Sequence, residues 1–299
     1  MSDTRDPRST GLSAHQRELL GQLFGLRPPL APDAPPPPVF EVFAPPDGPT
    51  SPLLVLVPHS GTRIPPEVRP SLVVDDDALD AELLAMTDHY TDRLFSAAPA
   101  LGGVLVVNHL SRLVVDPERF VDDTQEPMAA HGLGAVYTRT SGGAVLRSPD
   151  FDDRARAEVL ARYLRPYADA VERCVEHLLR RFGVALIVDG HSFPRTPLPW
   201  ENPSLRRPDI CLGHEPFHEH PFRHQAEEVF REHGLTVAHN SPFAGSYVPL
   251  RFYRKDPRVR SLMIEVRRDL YMDEETGEAN ADFERIRAVL REALDGLTP

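Results

Sequence analysis

Ala185-Leu-Ile-Val-Asp-Gly-His-Ser-Phe-Pro194 is the stretch on which the reading of this chain turns. The apolar run Ala185 to Val188 predicts a buried strand that stops on Asp189-Gly190-His191-Ser192. A buried strand followed at once by Asp, His and Ser sets polar side chains at the carboxyl edge of a sheet, where α/β proteins place their sites. Asp and Ser also cap ordinary strand-to-loop turns, so the stretch gains weight only from a second one like it. Leu53-Leu-Val-Leu-Val-Pro-His-Ser-Gly61 repeats the pattern, with His59 and Ser60 after five apolar residues and Gly61 expected to permit a tight turn. If the two strands are neighbours in one sheet, His59 and His191 converge.

Further buried strands are expected at Val39–Phe43, Gly103–Asn108, Asp209–Gly213, Leu235–Ala238 and Ser261–Arg268. Helical spacing of apolar residues is expected over Asp75–Ala98, Asp153–Phe182, Pro221–His233 and Asn280–Leu297. Asp152 or Asp153 is the expected N-cap of the longest helix, Gly183 its stop, and Pro166 a kink within it. Strands alternating with helices indicate an α/β class. Before this body, residues 11–26 carry Leu19, Leu20, Leu23 and Phe24 at helical spacing, and Arg27 to Pro38 reads as an extended proline-rich spacer. The expected organisation is a proline-rich extension over 1–38 and one α/β domain over 39–299.

Composition narrows the function. The chain has 299 residues, 41% of them hydrophobic, and a net charge of −12, which disfavours a general nucleic-acid surface. Two cysteines, Cys174 and Cys211, make no disulfide framework, no apolar run is long enough for a membrane span, and the polar start lacks an apolar signal segment. The expectation is a reducing cytosol, no membrane and no nucleic-acid partner.

Several polar residues admit two roles. Asp88 and Asp92, four apart, share one face of the expected helix, either solvated or with one turned inward as a metal ligand. Arg112 and Arg119 flank a buried run and either clamp a substrate carboxylate or pair with Asp116, Glu118 or Asp122. Glu265 projects from a mostly apolar strand, so it is either paired, with Arg267 the neighbour on its face, or a general base. Asn240 either orients substrate or makes a turn. The six histidines from His214 to His239 lack fixed ligand spacing, and His218, His220, His224 and His233 are expected in solvent. Gly190-His-Ser192-Phe-Pro194 is close to the nucleophile elbow of serine hydrolases, with Asp209 and His239 as possible partners, but lacks its second glycine.

Taken in order, Val57-Pro-His-Ser-Gly61, Thr87-Asp-His-Tyr-Thr-Asp-Arg-Leu94, Ser111-Arg-Leu-Val-Val-Asp116 with Arg119, Asp189-Gly-His-Ser192, Asn240 with Gly245, and Ile264-Glu-Val with Tyr271-Met-Asp273 resemble the N-formylglutamate amidohydrolase family. The resemblance runs from about Val39 to Leu297. It implies a zinc-carboxypeptidase-like, three-layer α/β/α fold with a mixed central sheet. It implies metal-dependent hydrolysis of the amide bond of an N-formyl or N-acyl amino acid, a small carboxylate-bearing substrate of N-formylglutamate type. By the same resemblance His59 and His191 are metal ligands with Asp88 as the acidic third, the ion is Zn²⁺ or a similar ion such as Co²⁺, Glu265 is the general base, and Arg112, Arg119 and Asn240 bind substrate. Where the family shows Asp-x-Asn-Arg this chain has Asp116-Pro-Glu-Arg119, and Ala244-Gly245 stands where a Gly-Gly pair is common. A binding or scaffold role for the same fold is the non-enzymatic alternative.

Overall fold

The structure, a computed structural model, describes residues 38–219 and 221–297. The extension expected before Val39 and the helix expected over 11–26 lie outside the described residues. Seven strands, β1 (Phe40–Phe43), β2 (Leu53–Val57), β3 (Val104–Asn108), β4 (Ala185–Phe193), β5 (Ile210–Gly213), β6 (Val237–His239) and β7 (Val259–Arg267), form one sheet in the order β1-β3-β2-β4-β7-β5-β6. β2 pairs in parallel with β3 and β4, and β4 with β7, while β1 and β5 run antiparallel to β3 and β7, so the sheet is mixed.

The helices are α1 (Asp76–Met86), α2 (Thr91–Leu94), α3 (Asp153–Val159), α4 (Arg165–Phe182), α5 (Phe222–Glu232) and α6 (Phe283–Asp295). Alternation along β2 assigns the two faces of the sheet. Leu53, Val55 and Val57 pack with Leu94 of α2, Phe222 and Phe230 of α5, and Phe283 and Ile286 of α6. Leu54 and Leu56 pack with Tyr167, Val171, Val175 and Leu178 of α4. Each strand of the sheet's centre is therefore apolar on both sides, which is why β2 and the first half of β4 read as unbroken apolar runs. The result is the expected three-layer α/β/α arrangement.

Three local expectations change. Asp152 caps α3 through Ala155 N–H and Gly183 ends α4 at φ 74°, as read. Pro166, however, follows a π-helical segment, Leu160–Leu164, which joins α3 to α4. The wider turn accommodates the ring near the start of α4, where the missing N–H matters least. The Asp75–Ala98 run is not one helix: α1 ends at Met86, and Tyr90 takes a left-handed φ of 64° before α2. Asp88 thus sits in a break, not on a helical face with Asp92. Gly61 is required by close approach rather than by an unusual turn, since a Cβ there would lie 2.3 Å from the carbonyl carbon of His109.

Two connections fix where a site can form. From β2 the chain passes through α1 and α2 to β3 on one side of β2. From β3 it passes through α3 and α4 to β4 on the other side. The carboxyl ends of β2 and β4 therefore flank a topological switch point, the usual crevice of an open α/β sheet.

Candidate active site

His59 lies two residues past the end of β2 and His191 lies within β4, so the two parallel neighbours carry both imidazoles to the crevice. β4 continues past Val188 through Asp-Gly-His-Ser to Phe193, and all nine residues are buried. Asp189 and His191, two apart on a strand, therefore share one face. The break after α1 brings in Asp88, braced by its N–H donating to the His59 carbonyl (3.0 Å) and by the Thr91 hydroxyl donating to its own carbonyl (2.8 Å).

Three donor atoms meet. His59 Nδ1 and His191 Nδ1 are 3.2 Å apart, and Asp88 Oδ2 lies 3.1 Å from the second and 3.7 Å from the first. Ligand bonds of about 2.1 Å place neighbouring ligands of a tetrahedral ion about 3.4 Å apart, so these three spacings suit one divalent cation. The outward nitrogens carry the arrangement expected of metal-bound histidines, whose second N–H is held by a carboxylate. His59 Nε2 is 2.8 Å from Asp116 Oδ1, and His191 Nε2 is 2.9 Å from Asp189 Oδ1 and 3.1 Å from Glu118 Oε2. Arg268 donates to Asp88 Oδ1 (3.0 Å), leaving Oδ2 directed at the imidazoles. The residues present fit a metal, and His59, Asp88 and His191 form a candidate metal site.

The electrostatics point the same way. Burial alone would depress both imidazoles, yet Asp189 and Glu118 hold His191 well above its ordinary value, and Asp116 with Asp88 raises His59. Burial would raise Asp88 and Asp116, but the histidines and arginines around them keep both well below the usual carboxylate range. So dense a set of buried carboxylates calls for positive charge at the imidazoles, which protons or a bound cation supply. Glu265 pairs in register with His191 across β4 and β7. Burial, with Asp88 and Asp189 nearby, pushes its carboxyl up to about 7, and its Oε2 has no hydrogen-bond partner among the described residues. Glu118 is also pushed up to about 7 by burial and Asp189.

His59, Asp88, His191, Glu265, Arg112 and Arg119 line one cavity of about 700 Å³. The two arginines are not equivalent. Arg112 is hydrogen-bonded to Asp116 Oδ2 and Tyr137 Oη, each at 2.8 Å. Arg119 lies 3.6 Å from Asp116 and 3.5 Å from Glu126, too far for good hydrogen bonds, and its Nε has no such partner among the described residues.

Other expectations do not reach the site. Asn240, at φ 50°, accepts from the His214 and Gly245 N–H groups, so it shapes the loop whose residues 242–248 line the cavity rather than lining it itself. Arg267 pairs with Asp209 and Asp269, not with Glu265. His218 is fully buried instead of solvated, facing the Val259 carbonyl through Nδ1 and accepting Arg254 N–H at Nε2. Ser192 lies inside β4 with Arg268 Nε donating to its hydroxyl, while His239 pairs with Glu227 and Asp209 with Thr236 and Arg267. Among the described residues, no strand-turn-helix elbow or assembled triad supports a serine nucleophile at Ser192. The members not singled out as site residues from the sequence are Asp116, Glu118, Asp189 and Arg268. The two-residue spacing of Asp189 and His191 was a usable signal once β4 is extended.

A sequence profile of the N-formylglutamate amidohydrolase family matches residues 51–272. The chain is 32% identical over 258 residues to N-formylglutamate deformylase of Pseudomonas aeruginosa, covering 82% of this chain and 92% of that protein. It is 28% identical over 234 residues to N-formylglutamate deformylase of Pseudomonas putida, covering 75% and 82%. The crystal structure of N-formylglutamate amidohydrolase from Ralstonia eutropha JMP134 superposes with a TM-score of 0.74 at 28% identity, covering 86% of this chain and 95% of that one. With the profile spanning most of the domain, the chain belongs to the N-formylglutamate amidohydrolase family and is a hydrolase.

Proposed function

We propose that the chain hydrolyses the amide bond of an N-formyl or N-acyl amino acid at a metal held by His59, Asp88 and His191. The observation that carries this reading is the meeting of His59 Nδ1, His191 Nδ1 and Asp88 Oδ2, each with its other polar atom anchored. A divalent ion such as Zn²⁺ or Co²⁺ bound there supplies Lewis acidity and an acidified water. Glu265 takes the proton of the attacking water and passes it to the leaving amine, a task suited to a buried carboxyl near pH 7. Arg119 receives the substrate carboxylate, while Arg112 holds Asp116 and, through it, His59 in place. The substrate is a small carboxylate-bearing molecule, for which N-formylglutamate is the reference because relatives bear its name.

The test is formate release from N-formyl amino acids by the purified full-length protein. The expected result is turnover that a chelator removes and added Zn²⁺ or Co²⁺ restores. Turnover indifferent to chelation overturns the metal mechanism.

A further inference from the structure

Arg267 and Arg268 are adjacent in sequence but differ in role. Arg267, the last residue of β7, pairs with Asp209 and Asp269. Arg268, the next residue, is only 4% exposed and lines the cavity. A guanidinium buried to that degree must have its N–H groups met by acceptors. All three of its nitrogens are engaged. Nε donates to the Ser192 hydroxyl (3.1 Å), Nη1 to the Ala85 carbonyl (2.6 Å) and Nη2 to Asp88 Oδ1 (3.0 Å).

These acceptors come from three different segments. Ser192 belongs to β4, the strand that carries His191, and Asp88 to the break between α1 and α2. Ala85 lies in the last turn of α1, where carbonyls lack an intrahelical partner and a cation is favoured. One planar group therefore holds the end of α1, the His191 strand and the Asp88 carboxylate in a fixed relation. A lysine, with a single nitrogen, has no such fork.

Of the two Asp88 oxygens, this leaves only Oδ2 for a metal. Oδ2 lies 3.1 Å from His191 Nδ1 and 3.7 Å from His59 Nδ1. A carboxylate with both oxygens free can chelate, and ions that favour many oxygen ligands use it that way. With a single free oxygen and two imidazole nitrogens, the site offers three donors and an open position, the set that suits Zn²⁺. The Arg268 charge acts differently, since a fixed cation weakens the binding of every divalent ion alike.

We propose that Arg268 is a positioning residue that sets metal selectivity. By occupying Asp88 Oδ1 it limits Asp88 to one ligand oxygen and widens the preference for a small four-coordinate ion such as Zn²⁺ over Mn²⁺. This rests on the metal site of the proposed function and extends it from the ligands to the choice of ion.

Competition titrations of Zn²⁺ and of Mn²⁺ against a chelator, on the full-length protein and on its Arg268→Met variant, read that preference without an activity assay. The ratio of the two affinities is expected to fall by about tenfold or more in the variant, the size of effect that partners of metal ligands have. A change of both affinities by the same factor overturns the proposal, because lost folding or lost charge acts on both ions alike. Co²⁺ bound to the unaltered protein gives a second measure that does not need the variant to fold. Strong visible absorption, the mark of four-coordination, is expected, and the weak absorption of a higher-coordinate ion overturns the proposal. An unaltered protein that binds none of the three ions removes the metal site itself, and the selectivity with it.

Discussion

Glu265→Gln lowers kcat by about a thousandfold and leaves the metal content unchanged. Loss of a positioned general base costs about 10²- to 10⁴-fold, and Gln keeps the volume and the backbone pairing of β7 with β4. The amide cannot take a proton from water, so turnover falls while His59, Asp88 and His191 are untouched. Glu118 is the control, being the other cavity carboxyl held near 7. Its Oε2 faces His191 Nε2, on the side of the ring away from Nδ1, so Glu118→Gln alters ring orientation and metal affinity before it alters proton transfer. Kinetics and elemental analysis on both variants decide the assignment. Full turnover in Glu265→Gln removes Glu265 from the role.

Asp116→Asn produces the second large effect, and on two readouts. Asp116 is completely buried and binds His59 Nε2, Arg112 and Tyr137 at once. Carboxylates that orient a metal-bound histidine contribute about 10- to 100-fold in metal affinity. The substitution also leaves the Arg112 guanidinium without its carboxylate, and breaking such a buried pair costs about 3 kcal/mol or more. Metal competition titration is expected to register the first loss and denaturant unfolding the second. An unchanged metal affinity would show that His59 does not depend on Asp116 for its orientation.

The layers of the fold were legible because β2 and β4 are buried on both faces and so spell continuous apolar runs. His59 and His191 were legible for the same reason, each following such a run. Asp88 does meet His59 and His191, but from a different local structure: helical spacing carries across residues 87–90, yet Thr87 turns extended (ψ 137°) and Tyr90 is left-handed, so the helix stops at Met86. The end of β4 was hidden because Asp, Gly, His and Ser usually mark a turn. Here β7 pairs with them and the cavity's carboxylates and Arg268 satisfy them. Glu118 and Arg268 could not be reached by periodicity, since both act across the sheet on residues distant in sequence. Asn240 looked like a substrate ligand only because side-chain amides serve turns and ligands alike. The arginine pair is the sharpest case: the sequence leaves Arg112 and Arg119 equivalent, and only their distances to Asp116 separate the tethered one from the available one.

Metal content is the most direct measure of the central claim. Elemental analysis of the purified full-length protein beside its His191→Ala variant is expected to find about one Zn²⁺ or similar ion per chain in the first and a loss of it in the second, with the variant still folded by circular dichroism. No metal in the unaltered protein, even after incubation with Zn²⁺ or Co²⁺, or the same metal content in both proteins, would contradict the site built on His59, Asp88 and His191.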